Sequence, residues 1–445
     1  MKIKIKRGLN IPFRSSTRSA ISSLPKPTKV ALNLNVFDDI RFKLLVKVGD
    51  SVKIGQPLAE NKAVPGQLFL SPAGGVVCEL KRGLKRRLLD IVIDVADHEK
   101  EYIHKVPENL SKESLLELFL RAGIFPHIRL RPFDLIADPT HLPRAIFVRA
   151  VELRPLVPPA DKQVEGREAF FAKGLETLGK IAKVHLVHEE GSRCRSFINA
   201  EGVERHSVEG PYPASNPSVH IHHVMPIKKV SDYTWTIDVE GVITIGKLMV
   251  EGKYYIDRVI GLGGEGVFED AYFHGRMGYP IAELTKGRVK EELLSYISGD
   301  PLSGNSADPT DFLGFFDSCV SVLPVNVKRQ KFHFLRLGQN KYSATRTYLS
   351  GFFPKKSYPF TTNQHGEERA FVDPAIYDKV MPMRIPTAHL VKALLAQDFE
   401  LAEILGVYEV AAEDFILPTF ICPSKIEMVA IVKQGLHLFA KEMGH

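Results

Sequence analysis

Between Val46 and Val77 the chain reads Val-Lys-Val-Gly-Asp-Ser-Val-Lys-Ile-Gly-Gln-Pro-Leu, breaks at Glu60 to Gly66, and resumes as Ser-Pro-Ala-Gly-Gly-Val-Val. Turn glycines in pairs, a Gly49-Asp50 turn and alternating β-branched residues predict short strands wrapped into a small barrel. Barrels of this shape carry lipoyl or biotinyl groups on a lysine at a hairpin tip. Lys62, after Glu60-Asn61, stands near that place, but Ala63-Val64-Pro65-Gly66 follows where the outgoing strand belongs. Proline removes a ladder donor and fixes φ. The barrel therefore reads as a docking or structural module, with a carrier role for Lys62 as the rival.

The chain has 445 residues, too many for one ordinary core; length alone suggests about three domains. No apolar run reaches the roughly eighteen residues that a membrane-spanning helix needs; Leu88 to Ala96 is interrupted by Asp90 and Asp94. Met1-Lys-Ile-Lys-Ile-Lys-Arg alternates charge with isoleucine, the pattern of an amphipathic strand and not of a signal peptide, so a cytosolic location is expected. The four cysteines, Cys78, Cys194, Cys319 and Cys422, are scattered and form no Cys-x-x-Cys, which argues against disulfides, zinc sites and iron–sulfur clusters. Net charge is +7. Its clearest basic clusters, Lys2 to Arg7 and Lys81 to Arg87, lack interleaved aromatics, so nucleic acid is not an expected partner.

Prolines 25 and 27 separate the first strand from the barrel, which closes near Val95. A helix is predicted behind Ser111, stopped by Gly123; then a strand from Ala145, a helix over Glu165 to Ala182, and a strand from Lys183. Alternating strand and helix imply an α/β domain with a parallel sheet, ending near Gly252. A small β-rich segment begins at Tyr254 and includes Ser321-Val-Leu-Pro-Val. An irregular basic and aromatic region follows over Lys328 to Phe371, then helices: His389 to Leu405, and a last one whose start at Ser424 with Glu427 reads as a capping box.

Three motifs invite chemistry. Gly261-Leu-Gly263-Gly-Glu-Gly266, with Glu283 twenty residues beyond Gly263, spells a dinucleotide fingerprint. The β-like residues after it supply no helix N-terminus to hold a phosphate, so a glycine-rich strand turn is the better reading. His220-Ile-His222-His223 sets two imidazoles on one face of a predicted strand, but no second ligand pair completes a zinc site. Arg129-Leu-Arg131-Pro-Phe133-Asp134 falls where an α/β domain places a ligand-binding loop. Two guanidinium groups and a phenyl ring suit a flat ring with polar oxygens; an Arg–Asp pair anchoring a domain interface fits equally. No catalytic nucleophile, paired carboxylates or P-loop stands out.

Lys6-Arg-Gly-Leu-Asn-Ile-Pro12, the barrel, Arg129-Leu-Arg-Pro-Phe133, Ile245-Gly-Lys-Leu248, Val320-Ser-Val-Leu323 and Thr419-Phe-Ile-Cys-Pro-Ser-Lys425 occur in a specific order. That order resembles the family of the A subunit of the Na+-translocating NADH:quinone reductase, and the similarity covers essentially the whole chain. The family is related to Rnf-type electron-transport subunits and to the flavin-carrying subunit of complex I. The resemblance implies a multidomain α/β fold: an N-terminal strand and barrel-sandwich module (1–100), a Rossmann-like α/β domain (101–252), a small β-grasp, SLBB-like domain (253–330) and a mainly helical C-terminal domain (331–445). It implies a peripheral subunit on the cytoplasmic side of the bacterial inner membrane, partnered by membrane subunits and supporting ubiquinone reduction by NADH coupled to Na+ export. The flavin loop and cluster cysteines of the relatives are absent from Arg129 to Asp134 and around Cys422. No cofactor is therefore expected on this subunit, with NADH and flavins on partners and ubiquinone as the substrate of the complex. Arg129, Arg131, Phe133 and Asp134 are the expected quinone-binding residues, with no catalytic or metal residue. Rival readings are a pure scaffold, a flavin-binding subunit of the Rnf type, and a free-standing lipoyl carrier.

Overall fold

Alternation along Leu88–Val95 divides its side chains between two environments. Ile91 and Ile93 join Val30, Leu32, Leu58 and Phe69 inside a barrel, while Val92 packs outward against Phe312. In the computed structural model, which describes residues 1–13, 20–325, 332, 335–344, 346–363 and 368–444, this barrel consists of two facing sheets. One runs in the order Lys29–Asn33, Leu88–Val95, Gly75–Arg82, Ser51–Val52; the other is Phe42–Leu44, Pro57–Asn61, Leu68–Leu70. Gly75 permits the close pairing of Gly75–Arg82 with Leu88–Val95, because a Cβ there would sit 1.9 Å from the Asp94 carbonyl oxygen.

A seven-stranded sheet forms the middle of the molecule, ordered Lys2–Lys4, Glu204–Glu209, Lys183–Glu189, Ala145–Ala150, Thr234–Asp238, Arg129–Arg131, Leu135–Ile136. The first five strands are parallel, and Arg129–Arg131 joins antiparallel. Ile146, Val148, Leu186 and Trp235 face helices Lys112–Arg121, Glu168–Gly179 and Val239–Glu251. Local chemistry fixes these helix ends: Ser111 accepts from the Ser114 N–H, Asp238 from the Gly241 N–H, and Gly252 closes the third helix at φ 69°. On the opposite face Phe147, Val187 and Val208 pack with helices Pro217–Val224, Thr387–Ala396 and Met428–Glu442. The C-terminal helices are thus the second covering layer of this sheet and share its core.

The third sheet, ordered Asn305–Ala307, Leu294–Ser298, Cys319–Pro324, Asp257–Gly263, Ala271–Arg276, Ile21–Ser23, carries the short helix Ile281–Thr285 over Ile260, Val320 and Val322. The N-terminal segment therefore enters two sheets before it reaches the barrel. Ile3 is buried between exposed Lys2 and Lys4, as the alternation predicts, and the strand pairs with Glu204–Glu209.

Several local expectations are corrected. The helix expected over Glu165 to Ala182 is Glu168–Gly179, and a separate short helix, Ala160–Val164, precedes it across Gly166 at φ +79°. The helix from His389 likewise divides into Thr387–Ala396 and Phe399–Ile404, because Gln397 turns left-handed and Asp398 caps the Leu401 N–H. The capping box at Ser424 does not form: Ser424 Oγ donates to the Ala370 carbonyl, and the helix starts at Met428. Part of the irregular region Lys328 to Phe371, including the 330/331 boundary, lies outside the described residues.

Candidate functional site

The chain leaves strand Arg129–Arg131 through Phe133 and Asp134, both left-handed at φ 76° and 58°, and returns as the edge strand Leu135–Ile136. That reversal swings the Arg131 guanidinium inward, where only 2% of the residue is exposed. Nη1 donates to Ser218 Oγ at 2.8 Å, Nη2 to Glu413 Oε1 at 3.1 Å, and Nε lies 3.3 Å from Asp134 Oδ1. Arg131 is thereby committed to three protein partners from three parts of the chain. Asp414 beside it hydrogen-bonds Asn216 at 3.0 Å, and burial, with Glu413 adding, raises its carboxyl above the ordinary range. Phe133 is buried edge-on to Tyr408 and Phe439, at ring separations of 6.0 and 5.5 Å. Arg129 lays its guanidinium 4.7 Å over the Phe316 ring.

Arg129, Phe133 and Asp134 line a cleft of about 1620 Å³; Arg131 does not reach it. The cleft lies where the α/β sheet edge, the third sheet and the C-terminal region meet, with Leu323, Tyr342 and Phe420 among its walls. Tyr342 forms an aromatic cluster with Phe360 and Phe420, at 5.6 and 6.0 Å. Lys433 on the last helix bonds Asp38 of the barrel segment at 2.6 Å, and both line the same space.

Two cleft lysines, Lys341 and Lys425, are not among the expected quinone-binding residues. Lys341 Nζ is shielded from solvent with no hydrogen-bond partner among the described residues, and desolvation, then the charge of Arg336, lowers its pKa. Lys425 is half-buried at φ 55°, and its pKa is also lowered by desolvation. Ammonium groups short of acceptors in an aromatic-walled cleft are ready donors to a ligand oxygen. Both lie in irregular chain, where no periodicity draws attention to them.

The histidine motif is helical: Pro217 occupies the first turn of Pro217–Val224, a position where its missing N–H costs nothing. His220 meets the Ala214 carbonyl at 2.9 Å, His222 meets Glu409 at 2.7 Å and His223 the Val219 carbonyl at 2.8 Å, so the three rings serve different partners, though His222 and His223 meet edge to face at 5.3 Å. Metal-like spacing occurs instead at His185, Glu204 and His206, whose ligand atoms lie within 4.8 Å of one another. There the two imidazoles contact each other at 2.9 Å and Lys183 holds Glu204 at 2.6 Å. His185 Nε2 and His206 Nδ1 have no partner among the described residues, so the outer contacts that normally orient metal-bound imidazoles are missing.

The Gly261 to Gly266 motif is the end of strand Asp257–Gly263 and a turn, and Glu283 accepts from Thr28 Oγ1 at 2.8 Å. Lys62 is exposed between strands Pro57–Asn61 and Leu68–Leu70. At the carboxyl ends of Ala145–Ala150 and Thr234–Asp238, where a doubly wound sheet would bind a nucleotide, a space of only about 20 Å³ remains. Arg154 binds Glu152 at 2.6 Å, and Arg258 binds Glu240 at 2.7 Å. Burial opposes the charge of Glu152, but Arg154 and Arg149 outweigh it and hold the carboxyl at about 2.

These features define a class: a barrel-sandwich module joined to an α/β layer, the parts enclosing a common cleft, with no helix among the described residues long and apolar enough to cross a membrane. Residues 3–96 match the family described as the NqrA N-terminal barrel-sandwich hybrid domain, and residues 110–254 the NqrA second alpha/beta domain. The chain is 40% identical to the A subunit of the Na(+)-translocating NADH-quinone reductase of Chlamydia caviae, covering 100% of this chain and 98% of the relative. It is 35% identical to the protein of the same name from Yersinia pseudotuberculosis, over 99% of this chain and 100% of the relative. The chain belongs to the NqrA family, that of the A subunit of the Na(+)-translocating NADH-quinone reductase.

Proposed function

We propose that this chain is the peripheral A subunit of a bacterial Na+-translocating NADH:quinone reductase, standing on the cytoplasmic side of the inner membrane beside membrane subunits. Its contribution is to receive the ubiquinone head group in the cleft beside Arg129, Phe133 and Asp134. Electrons arrive from NADH through flavins on partner subunits. The observation that carries this reading is the cleft itself, with the aromatic cluster of Tyr342, Phe360 and Phe420 and the underpaired ammonium groups of Lys341 and Lys425. A quinone is flat and gains negative charge on two oxygens as it is reduced; aromatic walls orient such a ring and cationic donors stabilise that charge. Arg131 enters this reading as the residue that holds the loop in shape.

The four-part division belongs to the same reading. The parallel order of Glu204–Glu209, Lys183–Glu189, Ala145–Ala150 and Thr234–Asp238 supports a Rossmann-like domain. The hairpin, helix and parallel return strand between Asp257 and Pro324 support a β-grasp. The ion pairs filling the nucleotide crevice, together with four isolated cysteines, support electron carriage on other subunits. A scaffold role alone is favoured by one fact, the full commitment of Arg131 to protein partners. Titrating the full chain with a soluble ubiquinone analogue decides between them. Saturable binding that weakens in Lys341→Met supports the cleft; no binding leaves the scaffold.

A further inference from the structure

Net charge on this chain is +7, and residues 318–366 hold eight Lys/Arg with no Asp or Glu. That one stretch, at +8, exceeds the net charge of the whole chain, and the remaining residues together carry −1. Composition of this kind, with aromatic and leucine residues among the cations, is what an anionic lipid surface selects, since apolar side chains enter the headgroup boundary while cations meet lipid phosphates. The fold supports the point. Leu335 and Leu337 are each 74% exposed, Phe353 73% and Phe352 56%. A backbone bond from the Leu349 N–H to the Leu337 carbonyl, and others from the Phe352 and Phe353 N–H groups to Leu349, gather these side chains into one neighbourhood.

The cations of the patch have no acidic partners among the described residues; Lys355 Nζ donates to Asn340 Oδ1 and Arg346 lies 5.7 Å over the Phe352 ring. Among the described residues no carboxylate pairs with Arg336, Arg346, Lys355 or Lys356, all of them exposed. Elsewhere on the surface lysines such as Lys2, Lys43 and Lys183 do carry acidic partners. Residues 340–344, Thr347 and Tyr348 of this segment line the cleft, so the patch adjoins its wall.

We infer that the exposed basic and apolar patch built from Leu335–Leu337 and Phe352–Lys356 docks directly on the anionic surface of a lipid bilayer. The patch goes beyond association through membrane subunits, and it does not depend on the quinone reading. Vesicle binding without quinone reads the patch alone, and quinone titration without lipid reads the cleft alone.

The test is co-sedimentation of the full chain with phosphatidylcholine vesicles, with and without about a third phosphatidylglycerol. Binding at low salt is expected to be at least about tenfold tighter to the anionic vesicles and to weaken steeply by about 0.5 M NaCl. Lys355→Glu with Lys356→Glu should abolish the preference for anionic lipid, and Leu337→Ser with Phe353→Ser should lower binding to both kinds of vesicle. All four side chains are exposed, so unchanged circular dichroism and melting temperature are expected for both pairs. Lys85→Glu with Arg86→Glu, on the barrel's own basic cluster, should leave vesicle binding as it was. Absence of vesicle binding, no preference for anionic vesicles, survival of binding in both patch variants, or equal loss in the barrel variant overturns the proposal. So does a patch variant that binds vesicles normally but no longer assembles with the membrane subunits in detergent, which would assign the patch to a protein partner.

Discussion

Arg131 and Glu413 are 282 positions apart in sequence, yet Nη2 donates to Oε1 at 3.1 Å and ties the edge of the central sheet to the C-terminal region. Replacing the arginine removes the countercharge beside buried Asp414 and from Glu413, which lines the cleft. Arg131→Met is therefore expected to cost about 3–5 kcal/mol, as removal of one partner from a buried pair usually does. Denaturant unfolding followed by circular dichroism measures it; a variant as stable as the parent would remove Arg131 from this role. Arg129→Ala, which loses one cation–π contact, should cost about 1 kcal/mol or less.

Lys341 and Lys425 carry the opposite expectation. Lys341→Met and Lys425→Met should leave the melting temperature nearly unchanged, because neither ammonium group has an ion-pair partner among the described residues. In the assembled complex each is expected to raise KM for quinone about tenfold, the scale of one lost charge-assisted hydrogen bond. NADH oxidation by an artificial acceptor should continue at the parental rate. Unaltered quinone kinetics in both variants would leave the cleft without its proposed donors.

Acid should loosen the fold through histidines held neutral. Burial, with Arg258 adding, pushes His127 to about 3; burial pushes His220 to about 3; burial, then the N-terminal charge and His185, pushes His206 to about 4. Each folded pKa lies below the ordinary value, so the unfolded chain binds more protons as pH falls from about 6.5. The contribution is whole above that pH and is lost as pH drops toward the folded values. Unfolding free energy measured between pH 7.5 and 4.5, with about these limits set by the unfolded and folded pKa values, should decline steadily. In His220→Gln the decline should be shallower. An identical slope would exclude His220 as a contributor.

Two glycines should respond in opposite ways to alanine. Helices Glu168–Gly179 and Val239–Glu251 cross so closely that a Cβ on Gly246 would lie 1.7 Å from the Phe170 carbonyl oxygen. Gly246→Ala should destabilise by about 1–3 kcal/mol through overpacking. Gly179 has nothing within 4 Å of an added Cβ, so Gly179→Ala should be neutral or stabilise by about 0.5–1 kcal/mol. Thermal unfolding of the two variants makes the comparison.

What can be read from the chain follows the reach of its signals. Gly49-Asp50, the strand alternation and Ser111 all act on near neighbours, and the barrel strands and the helix Lys112–Arg121 lie where those residues predict. His220-Ile-His222-His223 reads as a strand because a four-residue run of mixed polarity fits either period; Pro217, three residues earlier, decides for a helix. Ser424 and Glu427 meet the spacing of a capping box, but the Ala370 carbonyl, distant in sequence, takes the hydroxyl. The loop at Arg129 to Asp134 does border a concavity, whereas the inward turn of Arg131 depends on Ser218 and Glu413, which no local pattern announces. Lys341 and Lys425 become visible only where irregular segments share a wall.

Strand Lys2–Lys4 precedes its partner Glu204–Glu209 by about two hundred residues, so it leaves the ribosome well before that partner exists. Ile21–Ser23 likewise waits for Ala271–Arg276. These two strands must therefore stay unpaired while about two hundred and about two hundred and fifty further residues, respectively, are made, and co-translational maturation cannot proceed module by module. Excising the barrel at its apparent border would cut through two sheets at once, so deletion series and split expression schemes for this protein should keep those opening strands with their distant mates.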